Sequence, residues 1–174
     1  KPMSPRKSSK LEPTILRMPP QKMAVVSARG VPARVFPKLM PALYGSVFTL
    51  KFALKKRGLP TFKISGLRAS YPDVLLVPKE KWTNIIALPI PLDTVSLPQK
   101  VADVEVKVET WQYGTVAQIL HLGAYDQEGP TVERLHKFIE DSGYEITGGH
   151  EEEYLSRPDA KVVRTIIRYV VRKK

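Results

Sequence analysis

The chain has 174 residues, 43% of them hydrophobic and 8% aromatic, enough for one ordinary domain or two small halves sharing a core. Cysteine is absent, which excludes disulfides and thiolate metal sites, and no apolar run approaches the roughly twenty residues that span a bilayer. The net charge of +11 suggests nucleic acid, but the basic residues are dispersed and neither an RNP-type aromatic motif nor a zinc finger accompanies them.

Residues 1–11 are basic and rich in Pro and Ser without an apolar core, so they read as a disordered tail rather than a signal peptide. A short apolar run at residues 23–26 ends at Arg29-Gly30, a strand followed by a turn. From Val35 to Arg57, the residues Phe36, Leu39, Met40, Leu43, Tyr44, Val47, Leu50 and Leu54 recur at helical spacing, and Gly58 and Pro60 stop the helix. Strands are expected at about 61–65, 69–77 and 84–90, between Gly and Pro punctuation.

The plan then repeats. Val104, Val106 and Val108 alternate with Glu105, Lys107 and Glu109, the period-two pattern of a half-buried strand, and a second strand is expected at 115–122. Gly129-Pro130 opens a helix whose buried face carries Val132, Leu135, Phe138 and Ile139, and Gly143 closes it. Strands near 144–146, 151–155 and 163–171 finish the chain, the last with Arg164, Arg168 and Arg172 on one face expected to be solvated. The fold class is therefore α+β: a tandem duplication of a strand-helix-strand-strand module, with antiparallel sheets and a ligand cleft between pseudo-symmetric halves. The halves cover about 12–98 and 101–174 of a single domain spanning 12–174.

The candidate chemistry centres on His150-Glu151-Glu152-Glu153-Tyr154-Leu155. On a strand, Glu152 and Tyr154 share one face while Glu151 and Glu153 share the other, and one of the two faces must be solvated. If Glu152 points inward, it offers a charge beside an aromatic platform; the alternative is an edge strand with cross-strand ion pairs. Tyr44, Tyr71, Trp111, Tyr113 and Tyr125 are candidate aromatic walls for a flat, cationic or polarised organic molecule. His121 is placed in the same set, although its strand face with Ala117 and Ile119 also suits a satisfied core histidine. His150 lacks a second histidine at ligand spacing, so no metal site is expected, and the absence of phosphate-loop, dinucleotide and Gly-x-Ser-x-Gly motifs argues against a cofactor.

The run Gln118-Ile-Leu-His-Leu-Gly-Ala-Tyr-Asp-Gln-Glu128, the helix with Leu135-His136-Lys137-Phe138-Ile139, Gly143-Tyr144, Glu152-Glu153-Tyr154-Leu155-Ser156 and Arg164-Thr-Ile-Ile-Arg168 resemble the GyrI-like small-molecule-binding domains, in their stand-alone branch. The resemblance implies a cytoplasmic binding module for hydrophobic aromatic or cationic small molecules, with Glu152 as the buried glutamate of a Glu-x-Tyr-Leu strand. It also implies two alternatives. One is a hydrolase opening cyclopropane-bearing DNA-alkylating toxins, with Glu152 as the catalytic carboxylate. The other is a module that damps gyrase or otherwise interacts with a protein or nucleic acid. Stand-alone relatives carry His-His-Glu where this chain has His150-Glu151-Glu152, and Arg157-Pro158 stands in place of their Asp-Pro, so binding is the safer inference than turnover.

Overall fold

The computed structural model describes residues 11–174, so the tail expected at 1–11 lies, except for Leu11, outside the described residues. Among the described residues, nine strands and two long α-helices follow in order: β1 (Thr14–Met18), β2 (Gln21–Arg29), α1 (Pro32–Lys56), β3 (Arg68–Tyr71), β4 (Thr83–Pro89), β5 (Lys107–Trp111), β6 (Gly114–Leu122), α2 (Gly129–Asp141), β7 (Tyr144–Ile146), β8 (His150–Tyr154) and β9 (Arg164–Lys173). They fall into two compact units, one formed by Pro20–Gln112 and the other by the residues up to Pro19 with Tyr113–Lys174.

In the unit formed by Pro20–Gln112, the antiparallel strand order is β3-β4-β2-β5. The apolar run of β2 is buried throughout, Val26 opposite Ile86 and Ala24 between Leu88 and Val108. On α1, Val35, Leu39, Ala42, Leu43, Ser46 and Val47 are buried, the three-and-four spacing of one helical stripe. Pro32 begins the helix, Lys55 and Lys56 complement its last turn, and Gly58 at φ +69° takes the left-handed conformation that ends it.

Two expected strands are corrected here. Residues 61–65 form no strand, and the one expected at 69–77 stops at Tyr71 because Asp73 nucleates a turn: its carbonyl accepts from Leu76 and Val77, and its carboxylate accepts from the Thr83 amide and hydroxyl. The alternation at 104–108 sits slightly before its ladder. Gln99 bonds both backbone groups of Val106 with its side-chain amide, at 2.9 Å each, so sheet pairing begins only at Lys107.

The second unit repeats the arrangement. Its order is β1-β6-β9-β8, antiparallel throughout, with β7 paired to β9. In both units the strand before the helix pairs with the last strand of its module, β2 with β4 and β6 with β9, which realises the duplicated strand-helix-strand-strand plan. Membership differs from contiguous halves: β1, a strand with no expectation from sequence, pairs with β6, and β5 pairs with β2. Ala117, Ile119, Ile167, Tyr169 and Val171 form one sheet face and pack with Leu135 and Ile139 of α2. No helix among the described residues is long and apolar enough to cross a membrane.

Candidate functional site

Strand pairing decides the environment of the glutamate run. Glu152 stands opposite Ile167 and Tyr154 opposite Thr165, so both share the sheet face that packs with α2. Glu151 stands opposite Arg168 on the reverse face. Neither face leaves its carboxylates in water, which corrects the expectation of one solvated face.

On the reverse face, Arg168 is 4% exposed rather than part of a solvated stripe; only Arg164 and Arg172 are exposed. Its guanidinium donates to Glu151 Oε2 at 2.6 Å, to Glu153 Oε1 at 2.9 Å and, through Nε, to Gln118 at 2.8 Å. Tyr113 is buried against the same group: its hydroxyl donates to both oxygens of Glu151, and Arg168 lies 5.6 Å from its ring centroid. Glu151, Glu153 and Tyr113 thus compensate a buried cation, the condition under which such charges are tolerated. Tyr113, named from sequence as an aromatic wall, is committed to this ion-pair network.

On the α2 face, Glu152 is 8% exposed. Its Oε2 accepts from His150 Nε2 at 2.7 Å and its Oε1 from the Tyr154 hydroxyl at 2.9 Å. His150 Nδ1 meets the Tyr169 hydroxyl at 2.7 Å. With Nε2 donating to a carboxylate, a neutral His150 accepts at Nδ1 from Tyr169. Tyr125 packs edge-on against Tyr154 with centroids 5.5 Å apart, and Tyr169 has His136 and His150 at its ring.

A second carboxylate completes the group. Glu128 is the residue before the first helical position of α2 and its carbonyl accepts from Val132 to start the helix. Its side chain is buried and meets Glu152. Burial, then the neighbouring Glu152, pushes the Glu128 carboxyl up to about 9, so it holds a proton at neutral pH and donates it to Glu152. Burial opposes the charge on Glu152 as well. The hydrogen bonds from His150 and Glu128, the charge of His150 and the Tyr154 hydroxyl outweigh it and hold that carboxyl below its ordinary value. Burial and the same two carboxylates push Tyr169 up to about 12, and they raise Tyr125. Two carboxyl groups with opposed shifts can serve as one acid and one base.

The remaining sequence candidates have other settings. His121 is a core residue with both nitrogens satisfied: Nε2 donates to the Ala124 carbonyl at 2.9 Å and Nδ1 accepts from Thr131 at 2.7 Å. Tyr44 lies on α1 in the unit formed by Pro20–Gln112, 6.3 Å from Phe48, which in turn stacks on the exposed Phe52. Tyr71 tilts against Trp82 at 5.9 Å, and Trp111 donates to Glu109 at the end of β5. Sequence reasoning missed Glu128 as a site residue, because an acidic residue before Gly-Pro is an unremarkable helix entrance and nothing local signals its burial.

A duplicated antiparallel module with a buried, hydrogen-bonded carboxylate on its helix-covered face defines a binding domain of the α+β class. A family model, the GyrI-like small molecule binding domain, matches residues 11–169, and the chain belongs to that family. No curated protein is similar enough to match. Among solved structures, an uncharacterized conserved protein from Listeria innocua is similar at 23% identity and TM-score 0.79, with 97% of this chain and 98% of that one covered. A hydrolase from Listeria innocua is similar at 22% identity and TM-score 0.77 over the same shares. The EcmrR C-terminal domain is similar at 15% identity and TM-score 0.67, covering 94% of this chain and 98% of that one. At these identities the likeness is one of fold.

Proposed function

We propose that this chain is a cytoplasmic binding module for flat aromatic or cationic small molecules, with Glu152 as the counter-charge and Tyr154 and Tyr125 as its aromatic wall. The observation that carries the reading is Glu152 itself: buried, held ionised by His150 and Tyr154, and shouldered by an aromatic pair. A buried anion whose side-chain donors are an imidazole and a phenol hydroxyl rather than a lysine or arginine favours a cationic guest, and ring faces add about 0.5–2 kcal/mol per cation contact. The test is titration of chelator-treated protein with ethidium, read by dye fluorescence. Glu152→Gln should weaken binding at least ~10-fold, the scale of one charge-assisted contact; equal affinity in variant and parent sinks the assignment.

The acid and base pair favours one second reading, hydrolysis of a strained electrophile such as a cyclopropane-bearing toxin. Glu152 would take a proton from water as oxygen bonds to the ring carbon, while Glu128 returns one to the opened ring. The similar fold of a protein described as a hydrolase is consistent with it. Multiple turnovers to a ring-opened product, lost in Glu152→Ala, support this reading; stoichiometric binding without product removes it.

A further inference from the structure

We infer that Glu128, His150 and Glu152 form a binding site for a divalent first-row transition-metal ion. One ligand atom from each lies within 4.8 Å of the others, and the three come from the entrance of α2 and from β8. The inference reverses the expectation from sequence, where His150 lacked a partner at ligand spacing. The missing ligand comes from a separate element rather than from a nearby position in the chain.

A second observation points the same way. Glu128 is 9% exposed, and among the described residues no N–H or hydroxyl donor reaches its buried Oε2. A buried carboxylate oxygen facing a second carboxylate and an imidazole requires a cation, whether a proton or a metal, between them. Two carboxylates and one neutral imidazole carry the charge that balances a divalent ion, so burying the ion there leaves no net charge behind.

The surrounding bonds suit ligands rather than a bare acidic cluster. Metal-bound imidazoles donate their second N–H to a fixed acceptor, and Tyr169 stands at 2.7 Å from His150 Nδ1 to accept it once Nε2 is on the ion. The Tyr154 hydroxyl holds the other oxygen of Glu152 at 2.9 Å. Atoms about 2.0–2.2 Å from a tetrahedral ion stand roughly 3.3–3.6 Å apart, so the His150–Glu152 contact opens by less than about 1 Å. One nitrogen and two oxygen donors select zinc, cobalt, manganese or iron over calcium and magnesium, which take more oxygen ligands. Three protein ligands leave a fourth position for water or a ligand.

The experiment is titration of the chelator-stripped chain with zinc chloride by calorimetry and with cobalt chloride by visible absorption. The expected result is a one-to-one complex with micromolar or tighter affinity and cobalt bands of low coordination number. Glu128→Gln and His150→Gln should each weaken it at least ~30-fold, and Tyr169→Phe ~10-fold through ligand orientation. Absence of a one-to-one complex at millimolar metal overturns the inference without any variant. So does an affinity untouched by both ligand substitutions in protein whose circular dichroism matches the parent. Ethidium binding is measured in chelator, so loss of either reading leaves the other standing.

Discussion

Arg168 and Glu151 face each other across β9 and β8, and the pair sits at 2.6 Å with the arginine side chain 4% exposed. This contact anchors the strand that carries Glu152 on its opposite face, so the ion-pair side of β8 holds the site side in register.

Removing the cation withdraws the guanidinium from Glu151 and Glu153 together and leaves the buried Glu151 carboxylate to the Tyr113 hydroxyl. Arg168→Met should therefore cost about 3–5 kcal/mol, the range for breaking a buried pair from one side. Urea denaturation of variant and parent measures it. A cost below about 1 kcal/mol would mean that the carboxylates find water.

Tyr154→Phe removes one hydrogen bond from an ionised carboxylate while keeping the ring against Tyr125. Ethidium affinity should fall about 3- to 30-fold, matching roughly 0.5–2 kcal/mol for a charged hydrogen bond of this exposure. Thermal stability should change by no more than a few degrees. An unchanged affinity would mean that the Tyr154 hydroxyl does not tune the carboxylate that the dye meets.

Glu128 gives stability a particular pH dependence in chelator-treated protein. Its folded pKa, about 9, lies above the ordinary 4.5, so the folded state binds the proton more tightly than the unfolded chain. The contribution is fully present below about 4.5 and is lost as pH rises from about 4.5 to about 9. Glu128→Gln keeps the shape without the titration. Its melting temperature relative to the parent should rise steadily between pH 5 and pH 9, and a constant difference would refute the shared proton.

Asn84 is the corresponding test for the unit formed by Pro20–Gln112. Its side-chain amide donates to the carbonyls of Ala28, Gly30 and Trp82, closing the turn after β2. Asn84→Asp replaces those donors with a charge facing three carbonyl oxygens. A loss of about 2–4 kcal/mol is expected by chemical denaturation, with Asn84→Ala costing less.

Much of the architecture was legible in the order of residues. The spacing of Leu39, Leu43 and Val47, and of Leu135 and Ile139, determined both helices, because a helix must bury one stripe whatever surrounds it. Glycines at positive φ after each helix, Gly58 and Gly143, ended them locally, and the parity of Glu152 with Tyr154 followed from the strand alone.

Register and burial were decided only by tertiary pairing. Nothing near Arg168 distinguishes it from the exposed Arg164 and Arg172; it is buried because Glu151 and Gln118 flank it from neighbouring strands. Likewise, Glu128 becomes part of a site only when the start of α2 closes over β8. Local sequence determines which way a side chain points, whereas desolvation and charge pairing depend on what another segment places opposite it.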